Sequence, residues 1–409
     1  MKKLIAIALV FSISIFICGC SENASAKINL MNGIKAENIV TEKPDYLFSL
    51  SQYEIAVTFA KEISSSQKGN FVISPLSLST ALGLCSNGAQ GETKDELLNF
   101  LFKNGSQENF NVYLKNYTEN LGSGIKSANS IWYRNDGKIT VEKSFLQKNA
   151  NYYSAAAYEI PFDNSGKDFI NNWIKKETDN SIDAVIEKIE DINMMYLINA
   201  LDFNCQWNNP YSEYSVADGI FRSNDKEYSV KYLSSNEDYY INYGSATGFM
   251  KPYKNGEFYF AAILPDSNIS LEEYIASLNG EKLKNTIDSA REESVKTKLP
   301  KFSFDYSIKA EEILKKSGVK LAFDESKADF SAMGKVNGAN LFVGSVLQKT
   351  FIEVNEKGTK AAAATTVEMI YKSAIIADEK EVYLDRPFLF MIIDGDTKLP
   401  VFIGAVNEF

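Results

Sequence analysis

Residues 356–380 read EKGTKAAAATTVEMIYKSAIIADEK, and the fold turns on what this stretch is. A strand-like run ending in Val354 passes into Gly358-Thr359, then small residues, then a charged, polar segment before a strand at Val382. Alanine-rich chain favours helix, so a helical or disordered surface loop is one reading. Alternation gives another. Thr359, Ala361, Ala363, Thr365 and Val367 share one parity and are small or apolar, whereas Lys360 and Glu368 fall on the other. A period-2 chain with a small, uncharged inner face could slip between two existing strands without overpacking the core.

Outward from this loop, strand-like apolar runs cover Met195 to Phe203, Phe258 to Leu264, Leu341 to Val354, Phe388 to Ile393 and Val401 to Val406. Near-continuous apolar runs are expected for strands covered on both faces. Helical spacing appears earlier. Tyr46 to Ser64 is one helix, and Pro75 opens another that closes at Asn87-Gly88. Thr93 to Glu96 has capping-box spacing before Leu97 to Phe102. Phe169 to Thr178 and Ile308 to Lys316, the latter ending at Gly318, complete the helices. Helices first and strands later predict an α+β domain over 46–409, not alternating βαβ units.

The N-terminus reads as a targeting segment, with Lys2 and Lys3 before an apolar run from Leu4 to Ile17. That run is short for a transmembrane helix and right for a signal sequence. Gly19-Cys20 resembles a bacterial lipobox, which would assign 1–19 to a signal peptide, Cys20 to lipidation and 20–45 to a tether. An ordinary secretory signal is the alternative. Cys85 and Cys205, each in an apolar run, are expected as buried free thiols.

Composition excludes much. The chain has 409 residues, no histidine and a net charge of −10. Without histidine there is no Ser-His-Asp or Cys-His catalysis and no HExxH zinc site. Paired carboxylates and Ser-Lys dyads remain formally possible, but no pair stands out. An acidic chain without a basic cluster is a poor nucleic-acid binder. Nothing in the sequence calls for a cofactor or metal.

Glu356-Lys357-Gly358-Thr359 followed by Ala361, Ala362, Ala363 and Ala364 resembles the reactive-centre hinge of inhibitory serpins. The run Val382 to Phe390 resembles that family's C-terminal signature, and Asn70 to Ser77 its SP-x-S segment. Leu197 to Ala200 followed by Trp207 resembles a central strand ending at the tryptophan where loop insertion begins, and Leu299 to Phe302 another characteristic strand.

The resemblance implies a large, mostly antiparallel central sheet, further sheets, about nine helices and an exposed reactive-centre loop over about 356–380. It implies a monomeric protease inhibitor, not an enzyme, that traps an extracellular serine protease after cleavage. Family spacing from Glu356 places the bait bond at Lys372–Ser373, which suits a trypsin-like pocket; a frame shifted to Tyr371 would suit a chymotrypsin- or subtilisin-like one. A non-inhibitory binding protein and an inhibitor of papain-like cysteine proteases are the alternatives. Ser74, Ser77, Asn199 and Gln348 are implied as a polar cluster beneath the sheet, with Gln348 where most members carry histidine. Lys360 stands where an acidic residue is common.

Overall fold

The computed structural model describes residues 27–189, 193–223, 226–359 and 379–409. Nine α-helices and two large sheets are present among them, an α+β architecture. The central sheet runs Ile28–Asn29, Ala156–Ile160, Ile125–Arg134, Met195–Phe203, Val346–Val354, with Phe302–Lys309 on the far side of Val346–Val354. Most neighbours are antiparallel; Ile125–Arg134 with Ala156–Ile160, and Met195–Phe203 with Val346–Val354, are parallel. A nine-stranded second sheet packs Phe258–Pro265, Phe388–Asp394 and Pro400–Val406 side by side, and these apolar runs are buried almost throughout.

Helices supply the layers. Asp45 caps Tyr46–Ser66 by accepting from the Phe48 amide, and the helix buries Phe48, Tyr53 and Phe59. Pro75–Ser86 is capped by Ser74 and buried along its whole length, which explains why it shows no polar stripe. It packs against Met195–Phe203 and carries the cap residue into the centre of the molecule. The amphipathic Asn164–Glu177 covers the other face of the sheet, where Trp132 stacks on Tyr158 and meets Phe169 and Trp173 edge-on.

Several expectations need correction. Thr93 to Glu96 is not a capping box: the helix starts at Gly91, and the Glu96 carboxylate instead accepts from the Lys320 and Leu321 amides, both at 2.7 Å. Long-range backbone donors took the side chain that local spacing had assigned. Ile308 belongs to the strand Phe302–Lys309, so that helix is only Glu311–Lys316. The strand expected from Leu341 begins at Val346, where the Glu311 carboxylate receives its amide. Strand Ile125–Arg134 lies among the early helices, so the helices-first order is only approximate.

The segment assigned to a tether is partly structured. Ile28–Asn29 pairs with Tyr158 and Glu159, Leu30, Met31 and Ile34 pack on the core, and the Glu37 amide donates to Asn151. Residues 28–37 are therefore part of the folded body, because they bring both an edge strand and apolar side chains. Cys85 and Cys205 are free and buried.

Candidate functional site

The hinge begins with a turn. The Asn355 amide donates to the Gly358 carbonyl, and the Asn355 side chain accepts from the Lys357 and Gly358 amides. This folds the chain back so that Gly358–Thr359 becomes a two-residue strand. Thr359 pairs antiparallel with Val354 on one side and with Cys205 on the other. Thr359 is 2% exposed, on the inward parity that alternation gave it, and its hydroxyl lies 2.6 Å from that of Tyr253. The first inner residue of the hinge is thus already seated in a sheet, although it falls within the stretch 356–380 expected as an exposed loop.

Trp207 organises the seat. Its amide donates to the Lys357 carbonyl and its indole Nε1 to the Asn355 carbonyl, both at 2.9 Å, while the Tyr211 amide donates to the Glu356 carbonyl at 2.9 Å. The indole is stacked on Tyr253 at 4.4 Å and held edge-on by Phe260. Glu356 itself turns outward to Lys301, 2.6 Å away. Burial pushes the Glu356 carboxyl up, but the Lys301 ammonium and hydrogen bonds outweigh it and hold it below the usual glutamate value. Burial, with the Glu257 charge adding to it, raises the Cys205 thiol to about 11, so it stays protonated and packs as an apolar group.

Below the seat, among the described residues, the central sheet is incompletely closed. Met195–Phe203 and Val346–Val354 share a ladder only at Val346–Leu197 and Leu347–Ile198. Above those rungs, among the described residues, no strand lies between them until Thr359. Under this interval the implied polar residues come together. Gln348 clamps Ser74 from both sides, its Oε1 accepting from the Ser74 amide and its Nε2 donating to the Ser74 carbonyl, each at 2.9 Å. Ser74 Oγ donates to the Val401 carbonyl and accepts from the Ser77 amide, and Ser77 Oγ donates to Asn199. Asn199 continues to Asn129. A glutamine amide supplies both a donor and an acceptor, and here it uses both.

The far end of the loop is held elsewhere. Lys380–Tyr383 adds a parallel strand to Val295–Lys298 of the second sheet, and Glu379 pairs with Lys296. Between the anchors, Lys360, Ala361, Ala362, Ala363, Ala364, Lys372 and Ser373 lie outside the described residues, as does Cys20.

A family model described as Serpin (serine protease inhibitor) matches residues 50–409. The chain belongs to the serpin family. It is 30% identical to Serpin-ZXA of Oryza sativa subsp. japonica, over 82% of this chain and 89% of that protein. Among solved structures, the thermophilic serpin Tengpin in its native state is 40% identical, with a TM-score of 0.88 over 94% of this chain and 100% of Tengpin. The same protein in its latent state gives 37% identity and 0.80, over 90% and 100%. Protease inhibition is the general activity of the family.

Residues that sequence reasoning missed complete this serpin's seat: Tyr253 and Tyr211 beside Trp207, Asn355 in the turn, Lys301 opposite Glu356, and Asn129 at the end of the polar chain. Only Lys301 left a signal, as the charge within Leu299 to Phe302.

The Lys301–Glu356 pair gives a pH test with a definite sign. Because the folded carboxyl sits below its unfolded value, its contribution is complete above about pH 4.3 and is lost as pH falls through the folded value. The pair is about a third exposed, so solvent screening limits its worth. Lys301→Met is expected to lower the melting temperature by about 1–3 °C at pH 7. That difference should shrink as pH falls below about 4.3 and vanish once pH has passed below the folded value, measured by paired thermal melts.

Proposed function

We propose that this serpin inhibits a serine endopeptidase by suicide trapping: the protease cleaves Lys372–Ser373, and the cut loop inserts between Met195–Phe203 and Val346–Val354. One observation carries the reading. The hairpin at Asn355 has already laid Gly358–Thr359 into that interval, antiparallel to both sides, so insertion needs only propagation of an existing strand.

Register supports it independently. Carried forward residue by residue, the Thr359–Val354 and Thr359–Cys205 pairings both bring position 367 opposite the same rung, Val346 and Leu197. The Asn204 amide donating to the Gly124 carbonyl keeps the count free of a bulge between the Met195 strand and Cys205. On that register Ala361 meets Ile352 and Phe203, Ala363 meets Thr350 and Leu201, and Thr365 falls between Gln348 and Asn199. All six neighbours are buried, so small side chains are what the interval admits. Lys360, unusual for the family, falls opposite Glu353 on the outer face, where a cross-strand ion pair would form only after insertion.

The energetic logic is that of a kinetically trapped native state. An inserted strand gains backbone hydrogen bonds on both edges, and the two parallel strands become antiparallel partners of a new one. Strand rise would carry Lys372 about 45 Å from Thr359, dragging an acylated protease with it. Distortion of the protease's catalytic site on arrival stops deacylation. Lysine at the bait position suits a specificity pocket with a buried carboxylate, as in trypsin-like enzymes. Signal-like residues 1–19 and Gly19-Cys20 support an extracytoplasmic protein anchored through a lipid on Cys20.

Wild-type protein mixed with trypsin should give an SDS-stable complex and a new N-terminus at Ser373. Lys372→Ala should slow this inhibition by about 100-fold or more, since the pocket carboxylate loses its partner. Cleavage without any complex would favour a non-inhibitory serpin acting as a binding protein.

The register itself is checked by Ala362→Cys with Phe351→Cys, which face each other on the outer side only after insertion. A disulfide between them is expected in cleaved protein and not in intact protein, read by mass spectrometry under oxidant. A bond forming to a neighbouring position instead would displace the whole register.

For the anchor, Cys20→Ala should block processing or release the protein from membranes, followed by fractionation and lipid labelling. Unchanged size and membrane binding would rule the lipid anchor out.

A further inference from the structure

Lys251 and Glu237 form an ion pair with side chains only 3% and 6% exposed, Nζ to Oε1 at 2.7 Å. Lysine and glutamate are almost never buried so deeply unless paired, and a buried pair is seldom kept for stability, since apolar residues of similar size do as well. Its position supplies the reason. The Lys251 ammonium lies 4.3 Å from the Tyr211 ring centroid and 5.6 Å from that of Trp207. These are the two residues whose amides hold the Glu356 and Lys357 carbonyls. Glu237 is fixed from behind by Ser235 Oγ, itself 3.0 Å from Thr297 Oγ1. A register shift between Glu292 and Val295 in Arg291–Pro300 lies opposite Glu237 in the sheet.

We propose that Lys251 and Glu237 are positioning residues for loop insertion: the buried cation pins the Tyr211 and Trp207 rings, and through their backbone amides it keeps the hinge seated as the first rung. A cation on an aromatic face in a desolvated site is held more strongly than at the surface, so the pair acts as a strut with one arm on each ring. Glu237 neutralises and aims the ammonium, and the pair acts on the hinge through Tyr211 and Trp207. The kinetic part of the proposal rests on the inhibitory reading, because a pre-formed first rung matters only if the loop inserts. The seating part does not.

The test uses the full-length, uncleaved protein and Lys251→Met/Glu237→Gln, which removes both charges while preserving volume. Amide exchange at Trp207, Tyr211 and residues 356–359 is expected to quicken by about tenfold or more, as a locally opened unit. Protection in Phe388–Asp394 and Pro400–Val406 should stay as in wild type, and Lys251→Arg should restore the hinge. With trypsin, the double variant should need at least about threefold more inhibitor per protease trapped, since slower insertion lets hydrolysis compete. Unchanged exchange at Trp207 and Tyr211, or quickened exchange everywhere including the C-terminal strands, would overturn the strut. If wild type traps no trypsin while the hinge exchange behaves as expected, the inhibitory reading fails and the strut stands.

Discussion

Met195–Phe203 and Val346–Val354 run parallel as neighbours, in register at Val346–Leu197 and Leu347–Ile198 and nowhere above. Parallel neighbours are normally joined by a crossover that packs on the sheet, and their ladders are weaker per residue than antiparallel ones. Here the chain between them instead visits the second sheet, so nothing in the topology forces these strands to zip fully. Each also has a strong outer partner: Ile125–Arg134 on one side, Phe302–Lys309 on the other. The interval between them is therefore the weakest seam of a sheet that is otherwise well paired. The rest of the structure either sits under this seam or hangs a strand at its mouth.

What lies under the seam is polar where one would expect aliphatic packing. Ser74, Ser77, Asn199 and Gln348 are all at most 5% exposed, and each is satisfied by another of them or by backbone. A buried hydroxyl or amide without a partner costs on the order of 1–3 kcal/mol, so such a cluster fixes the strands relative to the helix Pro75–Ser86 in one arrangement. Gln348 grips backbone and not a side chain, which ties the Val346 strand to the helix N-terminus whatever occupies the seam above it. A neutral amide also leaves that grip independent of pH, unlike an imidazole in the same place.

The inward side of Thr359 was legible because a strand's side-chain period is exact in sequence, and Thr359 lies inward as its parity requires. Ser74, Ser77, Asn199, Gln348 and Trp207 were legible only through family resemblance; spacing alone could not join positions hundreds of residues apart. Where local pattern failed, a long-range partner had taken the residue. Glu96 caps backbone at Lys320 and Leu321, Ile308 pairs with Gln348, and Ile28 joins the sheet edge beside Glu159. Lys251 and Glu237 read as surface charges in any composition scan, because nothing in one sequence tells that two charges on adjacent strands will bury each other.

Under the proposed mechanism, the two anchors of the loop explain why cutting it would matter. Thr359 is fixed in the central sheet, and Lys380–Tyr383 in the second, through four parallel rungs beside Val295–Lys298. In the proposed mechanism each residue that zips into the seam carries the entering end about 3.3 Å further from Lys380. It also takes one residue from the chain left to span that growing distance. Insertion of an intact loop is therefore self-limiting: it strains against the second anchor and must eventually peel that strand away. Cleavage removes the second anchor at once, leaving only propagation from a rung already formed. The same geometry makes the seat at Trp207 a compromise. Held too loosely, the hinge must find its first rung after acylation. Held further in, the seam would begin to close without a protease. Thr359 paired with both Val354 and Cys205, and held there through the Trp207 and Tyr211 amides on the Lys357 and Glu356 carbonyls, is how this chain meets both demands.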